Sequence, residues 1–210
     1  MNTLKVAVRV LSFLLFFVTL FCKCTVVNAS AQQDIQKDAK PNITHKKVKI
    51  KTLKDYRNEF IENTDTHISK EYLGYVYDIC FEYGICPELI VAMIETESSG
   101  QASVVSSSGA IGLMQIIPKW HMFRMEKLMV KDLYDPRGNI LVGVDLIYEL
   151  SKEYKDLPVV LMCYNEGALP ELFEKINNGY VSEYATRIMN RSAELQKAKE
   201  NGGEIKWETY

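Results

Sequence analysis

"PELIVAMIETESSG", residues 87–100, is the stretch on which the reading of this chain turns. Pro87 suits the first turn of a helix, where a missing N–H costs nothing. Ile90, Met93 and Ile94 then recur at i, i+3 and i+4, and Glu97 takes the i+7 place of the same stripe. That periodicity belongs to a helix laid on a core. Glu95 lies two positions away from Glu97, so it points to the other side of the helix; with Glu88, seven residues earlier, it is expected in water. Glu97 is expected at the edge of the apolar face, in the last turn. Lost hydration raises the pKa of a carboxyl there, and the partial negative charge of a helix C-terminus pushes the same way. A carboxylic acid kept protonated near neutral pH is what a general acid requires. A buried glutamate satisfied by backbone or by a tyrosine hydroxyl would show the same pattern, so periodicity alone leaves both readings open.

Helical signals continue on both sides. Upstream, Tyr72, Leu73, Val76, Ile79, Cys80 and Tyr83 form one stripe that Gly84 stops. Downstream, Asp135 and Pro136 are an N-cap and first-turn pair for "RGNILVGVDLIYELSKEY", with Ile140, Leu141, Val144, Ile147 and Tyr148 on one face. Pro158 opens "VVLMCYN", and "YVSEYATRIMNRSAELQKA" (180–198) is the last long helix. Strand signals are nearly absent, so the expected fold is mainly α.

Between these helices lies "SSSGAIGLMQIIP" (106–118). It is no phosphate loop, because Gly-Lys-Ser/Thr does not follow. Gly109 and Gly112 suit either a tight turn or a backbone passing close to something bulky. Gln115, an amide among apolar neighbours, must find hydrogen-bond partners. A sugar would supply them, and so would neighbouring backbone.

The chain has 210 residues and a net charge of −2 that conceals two unlike halves. Residues 1–54 hold ten Lys/Arg and two Asp/Glu; residues 55–210 hold fifteen and twenty-five. An acidic main domain argues against nucleic acid, whose phosphates call for clustered Lys/Arg. Lys5 and Arg9 precede "VLSFLLFFVTLFC" (10–22), and "VNASA" (27–31) offers small residues for cleavage. This is the layout of a secretory signal, expected to be cleaved rather than kept as a membrane anchor. Bulky Phe21 before Cys22 counts against a lipoprotein. Residues 30–67 are polar and basic and read as a linker, with "KKVKIKTLK" (46–54) a solvated tether or an adhesive for an anionic wall polymer or lipid. Cys80, Cys86 and Cys163 remain beyond the leader. They allow one Cys80–Cys86 bridge or, as the favoured reading, three thiols acting as small buried hydrophobes. His45, His67 and His121 are scattered, and no metal site or cofactor is expected.

"ESSG" (97–100), "GAIGLMQIIP" (109–118), "LYDPRGNILVGVDLI" (133–147), "YNEG" (164–167) and "YVSEYATRI" (180–188) stand in the order and spacing of lytic transglycosylases. The chain resembles the soluble-transglycosylase-type domain, which is related to goose-type lysozyme, over about residues 69–190. The resemblance implies a lysozyme-like, mainly α fold with a peptidoglycan-binding cleft and Glu97 as the single catalytic acid. It also implies that Ser98 supports the site and that Met114 and Gln115 line sugar subsites. Tyr164 and Asn165 would sit beside the scissile bond, and Tyr184 would orient the glutamate. Met114 as plain core, Tyr164 as a core aromatic and Asn165 as a helix terminator are the alternatives. Two positions depart from the family pattern. Gly100 stands where an apolar residue is common. Glu166 replaces a usual alanine in "YNEG"; a second carboxylate there would bind substrate, raise the pKa of Glu97 or, as the favoured reading, face solvent.

The expected organisation is therefore a leader or anchor (1–29), a linker (30–67), a catalytic domain (68–198) and a tail (199–210). The expected reaction cuts the MurNAc–GlcNAc β-1,4 bond and leaves 1,6-anhydro-MurNAc, outside the cytoplasmic membrane. Hydrolysis in the same cleft, or wall binding without catalysis, are the alternatives. The partners are glycan strands and, through the architecture, a secretion, conjugation or phage apparatus; the membrane enters only through an uncleaved leader.

Overall fold

The computed structural model of the protein describes residues 51–200. The leader, residues 30–50 and the tail beyond 200 lie outside the described residues, as do the expectations placed on them. Within 51–200 the chain forms eight helices and no strand. They are α1 (Leu53–Asn63), α2 (Lys70–Tyr83), α3 (Pro87–Ser98), α4 (Pro118–Lys127), α5 (Pro136–Glu153), α6 (Leu157–Glu166), α7 (Pro170–Asn177) and α8 (Glu183–Glu200). Isolated bridges, Val105 with Ile111 and Ile111 with Ile116, tie the long α3–α4 connection to itself.

Helix boundaries follow local chemistry. Thr52 and Asp55 form a reciprocal capping box: the Thr52 hydroxyl accepts from Asp55 N at 3.2 Å and Thr52 N donates to the Asp55 carboxylate at 2.8 Å. Asp135 caps α5 through Gly138 N at 2.8 Å, with Pro136 in the first turn. Gly84 ends α2 with φ +66°.

α1 corrects the sequence expectation of a linker running to residue 67. Phe60 is buried against the body of the domain, its ring 5.5 Å from that of Tyr77, and contributes on the order of 2 kcal/mol. Arg57 crosses α2 to hold Asp78 with two bonds, of 2.6 and 3.0 Å. A side chain at Gly74 would strike that guanidinium, its Cβ only 2.6 Å from Arg57 Nη2. The residues of α1 are mostly polar, with Phe60 and Ile61 its contacts to the core, which is why composition alone reads it as a tether.

α3 lies at the centre, packed between α2 and α8. Leu89 through Ile94 are all buried, as is Glu88, which is 1 % exposed and accepts from the Cys86 thiol at 3.0 Å. The expectation that Glu88 and Glu95 share a solvated face is therefore wrong. A helix enclosed on all sides has no water-facing stripe, and its acids must find partners. α5 and α6 complete the core, with Ile140, Val142, Val144 and Ile147 packed near Val160, Leu161 and Met162. Cys80, Cys86 and Cys163 are free thiols, and burial pushes Cys86 up to about 12.

Candidate active site

Glu97 occupies the last turn of α3, and Ser99 breaks the helix immediately after it with φ +52°. The Tyr184 hydroxyl on α8 donates to Glu97 Oε1 at 2.5 Å. Burial pushes the Glu97 carboxyl above its ordinary range, and the Tyr184 hydrogen bond opposes this without overcoming it. Burial, together with the Glu97 charge, also pushes the Tyr184 hydroxyl far up, so it remains a donor at any physiological pH. No lysine, arginine or histidine forms an ion pair with Glu97 among the described residues. An acid with a raised pKa, one oriented hydrogen bond and no cation to pin its charge can give up a proton and take it back.

Glu95, two residues earlier, has the opposite environment. Burial pushes its carboxyl up, but bonds from Arg191 and Thr66 and the Arg191 charge outweigh that and hold it below the usual range. Arg191 Nε and Nη2 lie 2.7 and 3.1 Å from its two oxygens, and the Thr66 hydroxyl donates at 2.6 Å. Arg191 also reaches the Asp65 carbonyl at 2.6 Å. Tyr184 and Arg191 are two helical turns apart on one face of α8. One glutamate is thus clamped in its charged form, and the other is left able to change its proton.

The loop 109–117 sits beside α3 through buried side chains. Ser98 donates to the Leu113 carbonyl at 2.9 Å and to Ile94 O at 3.2 Å, so its hydroxyl serves backbone and is turned away from solvent. Asn139 on α5 does more. Its side-chain oxygen accepts from Met114 N at 2.8 Å, and its amide donates to Ile111 O and Leu133 O at 2.8 and 2.9 Å. Gly112, φ +75°, lies against it: an added Cβ would be 2.5 Å from Asn139 Nδ2. Gly109 has open space around it and φ +82°, so it answers a turn. The two sequence readings of these glycines each hold at one position.

Met114 is 0 % exposed, and a side chain at Gly143 of α5 would collide with its sulfur. Its side chain fills the core, and its carbonyl accepts from the Tyr164 hydroxyl at 2.7 Å. The direct sugar contact expected of the Met114 side chain therefore does not fit this placement. Gln115 holds φ +48°, uncommon for a residue with a side chain. Its Nε2 donates to Gly112 O at 3.0 Å, so neighbouring backbone supplies part of what the amide needs.

Tyr164 is half-buried near the end of α6, and Asn165 next to it is exposed one residue before the helix ends. Burial, with Glu97 nearby, pushes the Tyr164 hydroxyl well up. Glu166 lies 3.8 Å from Lys175 of α7, half-buried rather than simply facing water. Gly100 has φ +74°, and an added Cβ would sit 3.2 Å from Ile68. Backbone shape and packing both account for glycine there.

The sequence reading missed Asn139, Asp145 and the Arg191–Glu95–Thr66 network. Asp145 is buried on α5 and bound by Arg124, by Lys127 at 3.2 Å and by the Tyr83 hydroxyl at 3.2 Å. A polar residue inside an apolar stripe was the available signal for Asn139 and Asp145. Among the described residues no group of His, Cys, Asp or Glu is arranged to hold a metal ion.

A mainly α domain with a half-buried, tyrosine-held glutamate at the end of its central helix agrees with the lysozyme-like fold that the resemblance implies. The chain belongs to the transglycosylase SLT domain family, which matches residues 75–186, more than half its length. It is 36 % identical to a transglycosylase of Enterobacteria phage PRD1, over 41 % of this chain and 31 % of the relative. It is 34 % identical to membrane-bound lytic murein transglycosylase C of Haemophilus influenzae, over 48 % of this chain and 32 % of the relative. With membrane-bound lytic murein transglycosylase E of Buchnera aphidicola it shares 32 % identity over 54 % and 65 % of the two chains. The chain thus spans about a third of the phage and Haemophilus relatives.

Proposed function

We propose that the protein is a peptidoglycan lytic transglycosylase working outside the cytoplasmic membrane, with Glu97 as its single acid and base. The observation that carries this reading is the pairing of burial and one hydrogen bond at Glu97: its pKa is raised, yet Tyr184 fixes its direction. Family membership and the names of the two murein transglycosylases among the relatives support the substrate class.

Glu97 protonates the oxygen bridging N-acetylmuramic acid and N-acetylglucosamine. Charge developing at C1 is shared with the muramoyl acetamido group, so no second carboxylate is called for, in contrast to most glycosidases. Glu95 does not offer one, being held by Arg191. Now a carboxylate, Glu97 takes the proton of the same sugar's C6 hydroxyl, and that oxygen closes on C1. The attack is intramolecular, and effective molarity favours it over water. Ser98, Met114 and Asn139 hold the loop, Tyr184 orients the acid, and Gln115, Tyr164 and Asn165 are assigned to the sugar. A basic start followed by a short apolar run supports export, and local opening of the wall for a secretion, conjugation or phage apparatus is the role that fits a small domain on a leader.

The test is release of muropeptides from purified peptidoglycan by the wild-type protein, Glu97→Gln and Glu95→Gln, read by mass spectrometry. Loss with Glu97→Gln and retention with Glu95→Gln under conditions where both are folded is the expected result. Equal loss from both would remove the distinction between the two glutamates. Release undiminished in Glu97→Gln would overturn the assignment.

A further inference from the structure

Among the described residues, α4 is the helix with no buried side chain. Trp120, Met122 and Phe123 are 71, 68 and 82 % exposed, and Met129 just beyond is 85 % exposed. The helix is nonetheless firmly seated. Met125 and Leu128 on its other side pack against the core, and Arg124 and Lys127 reach the buried Asp145. The apolar side chains therefore project outward from a fixed platform. Met129 adds to this: it holds φ +57°, where glycine or asparagine would cost less, yet presents a thioether to water. Four large apolar side chains on one short segment exceed the scatter normal for a surface.

The segment also carries more basic than acidic side chains, unlike the domain around it. Residues 118–132 hold Lys119, Arg124, Lys127 and Lys131 against Glu126 and Asp132, within a region, 55–210, that carries fifteen basic and twenty-five acidic residues; Arg124 and Lys127 are held by Asp145, and Lys119 and Lys131 are the basic side chains exposed without it. Lys119 lies on the exposed side among the apolar residues, its Nζ 4.8 Å from the centre of the Trp120 ring, whereas Lys127 is drawn to Asp145 at 3.2 Å. Glu126 shares the exposed side and opposes Lys119. We infer that α4 and the turn after it, through Trp120, Met122, Phe123 and Met129 with Lys119 and Lys131, dock on an anionic lipid surface.

Tryptophan settles at the headgroup level, phenylalanine and methionine enter the acyl boundary as on an interfacial helix, and lysines reach lipid phosphates. Protein interfaces favour the aromatic residues but are depleted in lysine. A glycan would stack on Trp120 but has no use for two exposed methionines. No described helix is long and apolar enough to cross a membrane, so the contact is peripheral and would orient the domain with α4 downward. This contact is separate from any anchoring by the apolar stretch 10–22.

Trp120 is its own reporter, since the chain has two tryptophans, Trp120 and Trp207. The full-length chain carrying Trp207→Phe is mixed with phosphatidylcholine vesicles, with or without phosphatidylglycerol, and with bromine-labelled versions of both. Sedimentation would be dominated by the N-terminal apolar stretch, so the readout is Trp120 emission. A blue shift and quenching by brominated lipid are expected with anionic vesicles, absent with neutral ones and weakened by salt. Each lysine near such a surface is worth about fivefold in binding, so Lys119→Glu with Lys131→Glu should raise the half-saturating lipid concentration more than about tenfold. Phe123→Ser, on the exposed side and remote from the core, should reduce the blue shift with unchanged far-ultraviolet circular dichroism. The inference is overturned if vesicles leave Trp120 emission and acrylamide quenching unchanged, or if neutral vesicles act equally. It is also overturned if the emission responds only to glycan strands, or only to the protein's own concentration.

Discussion

Replacing Tyr184 by phenylalanine isolates the balance that sets Glu97. The substitution keeps the ring that packs between α8 and α3 and removes the hydroxyl 2.5 Å from Glu97 Oε1. That hydrogen bond lowers the Glu97 pKa, against burial that raises it. A hydrogen bond to a charged group contributes about 1.5–3 kcal/mol, equivalent to roughly a ten- to hundredfold change in proton affinity. Tyr184 is only half-buried, so the lower end is the appropriate figure. The carboxyl should therefore hold its proton about tenfold more tightly in the variant. The assay is the rate of muropeptide release against pH for both proteins. The variant should be slower near neutral pH, because the acid is less well oriented, and its alkaline limb should move to higher pH. The ratio of variant to wild-type rate should then rise with pH, by up to about tenfold across the limb. A ratio that stays flat would mean the bond does not touch the proton equilibrium. A ratio that falls would mean the hydroxyl, rather than burial, keeps Glu97 protonated.

Three further outcomes follow from the same geometry. Glu97→Gln should be at least as stable as wild type at neutral pH, measured by thermal unfolding: a carboxyl with a raised folded pKa loses stability as pH rises through that pKa, and glutamine removes the loss. Glu95→Gln should lower stability by about 1–2 kcal/mol, less than for a fully buried pair because Arg191 is partly exposed. Since the folded pKa of Glu95 is depressed, the difference should be complete above the ordinary carboxylate range and shrink as pH falls through the folded value. Gly143→Ala should cost about 1–3 kcal/mol through its collision with Met114, and Met114→Ala in the same chain should recover part of that cost, as a denaturant series would show.

Much of the fold was legible because it rests on short-range signals. The stripe of α2, the Asp135–Pro136 start of α5 and the glycine stop at 84 each fall within one or two helical turns. α1 escaped because Phe60 is its single fully buried residue, and its main tie to the body, Arg57 to Asp78, spans 21 positions. The placement expected for Glu97 agrees with the structure, while part of the reasoning behind it does not. Periodicity put it at the edge of the apolar stripe, and its pKa is raised by burial as expected. The premise that Glu95 faces water failed, because its partner Arg191 lies 96 residues further along and leaves no trace near position 95. Periodicity reports which residues share a face but not whether the opposite face meets another helix. Met114 and Gln115 illustrate the same limit: their spacing is visible, while the Gly143 surface that receives Met114 belongs to α5.

The most direct test of the central claim is digestion of purified peptidoglycan in water enriched in oxygen-18, followed by mass spectrometry of the released muropeptides. An intramolecular closure by the C6 hydroxyl predicts anhydro-muramoyl products with no heavy oxygen, and none of them from the Glu97→Gln protein. Reducing-end products carrying one oxygen-18 would contradict the account, because they would show that water, and not the sugar's own hydroxyl, reaches C1 beside Glu97.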